Sequence, residues 1–323
     1  MDVVDIGAGL RSSRLGFGCT SLSLADPASH HDALLGTVWD AGVRWFDVAR
    51  SYSYGAAEQS LGTFLKGRRD EAVVVTKFGI SPPRGAAASP LLRDIARRVL
   101  SVAPGLKRRL TSRADRATAG GRFSPGAAAS SLDASLAALR TDRVDVLLLH
   151  EVTPGALEDD LHDWLQAEVQ RGRVLHWGTA TTSVAATAQV VQAHPWAAAP
   201  VVQVEDALSS SPDPATVLGG PDRLLVTHSL LKHEVPRLRE RLHAEPELAH
   251  ALGELVGGDV RESPLVGPLL LSAAVARRAS GVALFSSRDL TRCAASAAAL
   301  DTFTPARARE LLALLGAAAP NSG

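Results

Sequence analysis

Aromatic side chains are scarce in this chain of 323 residues: Phe, Trp and Tyr together make up 4%, and the two tyrosines are Tyr52 and Tyr54. Pocket walls are therefore expected to be aliphatic. Cysteine is nearly absent. Cys19 and Cys293 lie far apart, which excludes a disulfide framework and a zinc cluster. Net charge is absent too, at +0 with a pI near 7.2. No global basic excess points to nucleic acid, and no acidic excess points to disorder. Apolar-rich runs such as Val144–Leu149 are far too short to cross a bilayer. The opening residues MDVVDIGAGLRSSRLGFG lack a basic segment followed by an apolar one. The expected location is the cytoplasm, without a membrane or nucleic-acid partner. A dinucleotide-binding GxGxxG after the first strand is missing as well. Gly16-Phe17-Gly18-Cys19-Thr20-Ser21 has no third glycine, which argues against an open Rossmann sheet.

What is present is an alternation. Hydrophobic residues make up 46% and charged residues 21%, a globular balance in a chain long enough to bury a large core. Strand-like runs at 14–18, 43–48, 72–77, 144–149, 174–178, 200–204, 224–227 and 282–285 are separated by amphipathic helical patterns. The helical patterns cover 31–41, 58–65, 130–139, 157–170, 183–193, 269–278, 288–300 and 305–315. AVVVTK at 72–77 is a nearly continuous apolar run, as a parallel strand buried on both faces requires. About eight β/α units in one chain predict an α/β fold of the (β/α)8 TIM-barrel class, one domain over 1–323.

An insert after the third strand, about 80–125, breaks the rhythm. It is basic, with Arg93, Arg97, Arg98, Lys107, Arg108, Arg109, Arg113 and Arg116 against Asp94 and Asp115. Its plain reading is a solvated amphipathic helix pair; the sharper ones are a lid over the barrel mouth or an anion-attracting patch. It carries no aromatics from Ser81 to Gly121, so stacking on nucleic-acid bases is not expected.

Barrel enzymes place their chemistry at the C-terminal ends of strands. Strand two ends in Asp47, strand three in Lys77 and strand four in His150, and Tyr52 follows Asp47 by five residues. Any one of these alone reads as a cap, a rim charge or a structural histidine. Together their chemistry is coherent. A lysine beside a tyrosine stabilises the phenolate, an aspartate keeps the lysine charged, and a histidine hydrogen-bonds a substrate oxygen.

The motifs then become specific. RWFDVARSYSYGAAEQSLG, VVVTKFG, SLDASLAALRTDRVDVLLLHE and QAEVQRGRVLHWGTATTS occur in the order of the aldo-keto reductase signatures, and the chain resembles that family from about residue 14 to 205, more faintly from 223 to 300. The resemblance implies a reductase that transfers a hydride from NADP(H) to an aldehyde or ketone without a metal, its partner a small-molecule carbonyl substrate. It implies that Tyr52 is the general acid, Lys77 its tuner, Asp47 the partner of Lys77, and His150 the substrate-orienting histidine. Tyr54, seven residues after Asp47, is a rival to Tyr52.

For the cofactor, the resemblance points to Gly18, Cys19 and Thr20 in the first loop and to Gln203 on the nicotinamide amide. Ser229 and Leu231 fall near the pyrophosphate, and Ser286, Ser287, Arg288 and Arg292 near a 2′-phosphate. Three positions depart from the pattern. Ala180-Thr181 stands where the family has Ser-Asn, so Thr179 or Thr181 would have to supply the missing hydrogen bond. Asp206 falls where an aromatic is expected to stack on the nicotinamide. An NADP(H)-binding regulatory barrel with little turnover is the alternative reading.

Overall fold

The computed structural model describes residues 1–80, 123–208, 213–220, 223–261 and 263–316. Eight parallel strands close into a barrel: β3 (Leu15–Gly18), β4 (Trp45–Asp47), β5 (Val73–Phe78), β6 (Val144–His150), β7 (Val174–Thr181), β8 (Val201–Glu205), β9 (Leu224–His228) and β10 (Val282–Phe285). They pair in chain order, and β10 returns to β3. The expected (β/α)8 architecture is what the chain adopts. The insert at about 80–125, with its lid and anion-patch readings, lies almost wholly outside the described residues.

Successive residues of a strand face opposite sides, and this period of two sorts the core. In β5, Val74 and Phe78 pack outward against helices, whereas Val73 and Val75 face the barrel axis. The axial core also takes Trp45, Val146, Leu148, Val201, Leu224, Val226, Val282 and Leu284. Gly16 makes room for it, since a Cβ there would lie 2.5 Å from the Trp45 ring. The outer core is aliphatic with a few aromatic contacts. Phe78 meets Phe123 at 5.7 Å, just where the chain re-enters after the insert.

The outer layer holds α1 (Ala28–Asp40), α2 (Ala56–Phe64), α3 (Pro125–Leu139), α4 (Leu161–Gln170), α5 (Val184–Ala193), α6 (Pro214–Leu218), α7 (Leu230–Ala244), α8 (Pro246–Val256), α9 (Val266–Ala276), α10 (Leu290–Ala297), α11 (Ala299–Thr302) and α12 (Pro305–Leu314). Ser124, Ser183, Asp213, Asp289 and Thr304 cap their helices with side-chain hydrogen bonds to backbone N–H groups two or three residues on.

Two features have no counterpart in the sequence reading. A hairpin of β1 (Val4–Gly7) and β2 (Leu10–Ser12) puts Ile6 and Leu10 into the axial core, beside the Trp45, Val73 and Leu224 end of the barrel. It thus plugs the barrel from below. α7 and α8 fill the stretch 230–256. They bury Leu238 and Leu242 on one and Leu248, Leu252 and Leu255 on the other.

At the lower end of the seam between the first and last strands, one side chain gathers several carbonyls. Arg14 donates to the carbonyls of Gly281 (2.7 Å), Ala279 (2.9 Å), Val275 (3.2 Å), Arg278 (3.0 Å) and Ser280 (3.1 Å). Those carbonyls belong to the end of α9 and the turn into β10.

Candidate active site

The inward-facing positions at the upper strand ends form one ring. Gly18, Asp47, Lys77, His150, Ala180, Gln203 and His228, with Ser286 just past β10, all line a cavity of about 350 Å³. Register makes this happen: Gly18 pairs with Asp47, His150 with Ala180, and Ala180 with Gln203.

The polar members are connected. Lys77 donates to Asp47 Oδ1 at 2.5 Å, to the Val48 carbonyl at 3.3 Å and to the Tyr52 hydroxyl at 3.3 Å. Gln203 donates to the other Asp47 oxygen at 3.0 Å. The Tyr52 and His150 rings meet edge to face, 6.1 Å apart. Asp47, Lys77 and Gln203 are buried. An ion pair removed from water keeps its charges only when both partners are present and hydrogen-bonded. Here both are.

Burial pushes the Tyr52 phenol above its usual value; the Lys77 ammonium pulls it down without reversing the shift. Burial opposes the charge on Lys77, but Asp47 and Tyr52 outweigh it and hold Lys77 above the ordinary lysine value. Burial, then Lys77, then His228 push His150 down to about 3. His150 is therefore neutral at physiological pH. It is a hydrogen-bonding group and not a second cation.

A second layer fixes Tyr52. It sits in a tight turn with Ser53 and Tyr54 at φ 49° and 56°. Ser53 donates to the Leu22 carbonyl at 2.6 Å. Arg50 pairs with the fully buried Glu58 at 2.6 Å, and Glu58 accepts from Thr76 at 2.8 Å. Thr76 is the neighbour of Lys77, so one carboxylate ties the Tyr52 turn to the lysine strand. Tyr54, the rival tyrosine, is not among the residues lining the cavity.

Thr20, Ser229 and Leu231 also line the cavity. Cys19, Thr179 and Thr181 do not. Cys19 is buried in the outer core, and burial raises its thiol far above the ordinary range. Thr179 and Thr181 flank Ala180 and so face the other side of β7. The Thr181 hydroxyl bonds the Ser183 carbonyl at 2.9 Å and the Thr187 hydroxyl at 2.7 Å. Neither threonine compensates for Ala180. Ser287, Arg288 and Arg292 lie on the rim beyond Ser286, outside the cavity lining.

Asp206 requires a correction. It is buried and turned away, held by Arg278 at 2.7 Å and Arg277 at 3.6 Å, both of which also pair with Asp213. Its charge is compensated and does not reach the cavity. The flat ring in that part of the wall is His228, which the sequence reading passed over. It ends its strand as His150 does. Burial lowers its pKa, and Ser229 bonds its Nδ1 at 2.9 Å. Glu151 and Lys232 are further polar lining residues the sequence reading missed.

The aldo/keto reductase family model matches residues 14–214, well over half the chain and all of the ring up to Gln203. The chain belongs to the aldo/keto reductase family. Curated relatives align over short stretches. A pyridoxal 4-dehydrogenase of Microbacterium luteolum is 43% identical over 74 residues, 22% of each chain. A D-threo-aldose 1-dehydrogenase of a Pseudomonas species is 42% identical over 76 residues, 22% of this chain and 23% of that one. The alignment thus spans under a quarter of these relatives' length. Solved aldo/keto reductases share the fold throughout. One from Klebsiella pneumoniae, in complex with NADP and acetate, has a TM-score of 0.66 at 19% identity, covering 99% of this chain and 96% of that chain. A holo form from Bacillus halodurans has a TM-score of 0.67 at 18% identity, covering 100% and 99%. Among the described residues no cluster of His, Cys, Asp and Glu is arranged to hold a metal ion. None of their helices is long and apolar enough to cross a membrane.

Proposed function

We propose that this aldo/keto reductase is an NADP(H)-dependent oxidoreductase that reduces an aldehyde or ketone to an alcohol, with Tyr52 as proton donor. The observation that carries the reading is the Tyr52 hydroxyl held 3.3 Å from a lysine that is itself paired to Asp47. Burial keeps the Tyr52 phenol protonated, so it has a proton to give. The adjacent Lys77 ammonium stabilises the phenolate that remains. His150, neutral, offers a hydrogen bond to the same substrate oxygen without repelling Lys77.

The ring also suits a nicotinamide. Gln203 Oε1 is buried without a hydrogen-bond partner among the described residues and belongs to a residue lining the cavity, where a carboxamide N–H would satisfy it. Gly18 brings bare backbone to the wall, His228 offers a ring face, and Ser229 and Leu231 line the cavity just after it, past the end of β9. When bound, the reduced nicotinamide supplies the hydride.

A second reading, an NADP(H)-binding barrel with little turnover, rests on Ala180, which leaves the ring one polar contact short. The deciding experiment is a fluorescence titration with NADPH and NADH followed by a carbonyl screen. Micromolar binding and turnover abolished by Tyr52→Phe support the reductase. Binding without turnover favours the second reading, and no binding of either nucleotide overturns both.

A further inference from the structure

The rim residues that resemblance assigns to the 2′-phosphate are already engaged within the protein. The Ser286 hydroxyl donates to the Gly18 carbonyl at 2.6 Å and lies 3.2 Å from the Thr20 hydroxyl. The Ser287 hydroxyl lies 3.2 Å from the Asp289 carbonyl and accepts from the Asp289 N–H at 3.1 Å. Arg288 gives its fork to Asp26. Nε reaches Oδ2 at 2.8 Å and Nη2 reaches Oδ1 at 2.6 Å. His30 Nε2 lies 2.9 Å from the Arg288 carbonyl.

Asp26 and His30 belong to the loop and helix after β3, and Arg288 to the loop after β10. The two loops are therefore stitched along one rim of the cavity. The geometry of the stitch matters chemically. A guanidinium offers parallel N–H pairs to a planar carboxylate or to two oxygens of a phosphate, in the same bidentate arrangement. A phosphate seeking this edge of Arg288 meets a carboxylate in place. It must displace Asp26 or share Arg288 with it, and in either case it feels the Asp26 charge.

We infer that Asp26 sets the cofactor preference of this site. It holds the Arg288 fork against a 2′-phosphate and narrows the advantage that the phosphorylated dinucleotide would otherwise have. The inference rests on the proposed dinucleotide-dependent reading. Under it, Arg288 is not a dedicated phosphate anchor but one half of a competition. The non-phosphorylated dinucleotide leaves the Asp26–Arg288 pair intact and gives up nothing at the rim. The phosphorylated form gains Arg288 only by breaking or sharing that pair.

The test separates rim from ring. Wild type, Asp26→Asn and Arg288→Ala are titrated with NADPH and NADH by protein fluorescence. In parallel they are titrated with 2′,5′-ADP and 5′-AMP by calorimetry, which reads the adenosine end alone. Asp26→Asn is expected to tighten NADPH and 2′,5′-ADP by roughly five- to twentyfold, the scale of a charge-assisted bidentate contact at a partly exposed site, while NADH and 5′-AMP move less than about twofold. The NADPH affinity should also become more salt-dependent. Arg288→Ala should weaken NADPH and 2′,5′-ADP more than NADH and 5′-AMP, because it removes the cation and leaves the Asp26 carboxylate unpaired beside the phosphate. Equal changes for both dinucleotides in Asp26→Asn, or no change, overturn the inference while leaving the dinucleotide site intact. Failure of wild type to bind either dinucleotide overturns the proposed function, and the inference falls with it.

Discussion

The ring and the rim of this site are built on opposite principles. In the ring, Asp47, Lys77 and Gln203 stand on strands and are almost removed from water, His150 ends its strand half-buried, and all are positioned by barrel register. At the rim, Asp26 and Arg288 stand on loops, the Arg288 side chain is 45% exposed, and their pairing joins residues 262 apart in sequence. Charges in the ring are held because removing one partner leaves the other stranded. Charges at the rim are held loosely enough to be exchanged for a ligand's. A fixed ring suits proton transfer, which depends on geometry, and an exchangeable rim suits recognition of a group that must arrive and leave.

The contrast can be tested from its largest expected effect downward. Tyr52→Phe should lower kcat by between about a hundredfold and ten-thousandfold, the usual scale of a lost general acid, with an unchanged circular dichroism spectrum. A variant that retains turnover within threefold would remove Tyr52 from the mechanism. Lys77→Met should cost about 3–5 kcal/mol in urea unfolding, because it strands a buried Asp47. Asp26→Asn should cost less than about 1 kcal/mol in the same assay, as a partly exposed pair does. Comparable costs for the two would abolish the distinction between ring and rim.

The pH dependence of stability sharpens the same point. His150 titrates near 3 when folded, below its ordinary value, so between about pH 6.5 and that value the unfolded chain binds the extra proton. Stability from this group is present above pH 6.5 and is lost as pH falls, by up to about 1.4 kcal/mol per unit. His150→Gln should flatten that part of a denaturation series. Smallest of all, Arg292→Ala at the exposed rim should leave stability within about 0.5 kcal/mol of wild type.

Most of the ring was legible because strand ends are legible. Asp47, Lys77 and His150 close apolar runs, and Tyr52 follows at a fixed distance. The period of two, carried through every strand, would also have found His228 and would have turned Thr179 and Thr181 away from the cavity. Asp206 misled because a motif position says nothing about partners. The arginines that hold it arrive seventy residues later, at the end of α9. The Asp26–Arg288 stitch was illegible for the same reason. The β1–β2 hairpin is short, with few buried side chains, so it left little periodic signal. α7 and α8 did carry leucines at helical spacing, but Pro236 and dense charge masked the first of them.

The Arg14 clamp has a consequence for how the molecule is made. The five carbonyls it needs lie between Val275 and Gly281, and the partner of β3 is β10. At about 5–20 residues per second, the first barrel strand leaves the ribosome on the order of 15–60 s before its last neighbour exists. Throughout that interval the edge of β3 lacks its β10 partner and Arg14 lacks the carbonyls it bonds in the finished barrel. Such an edge is a template for association with other chains. The closing seam therefore leaves this barrel with an association-prone edge for most of its synthesis.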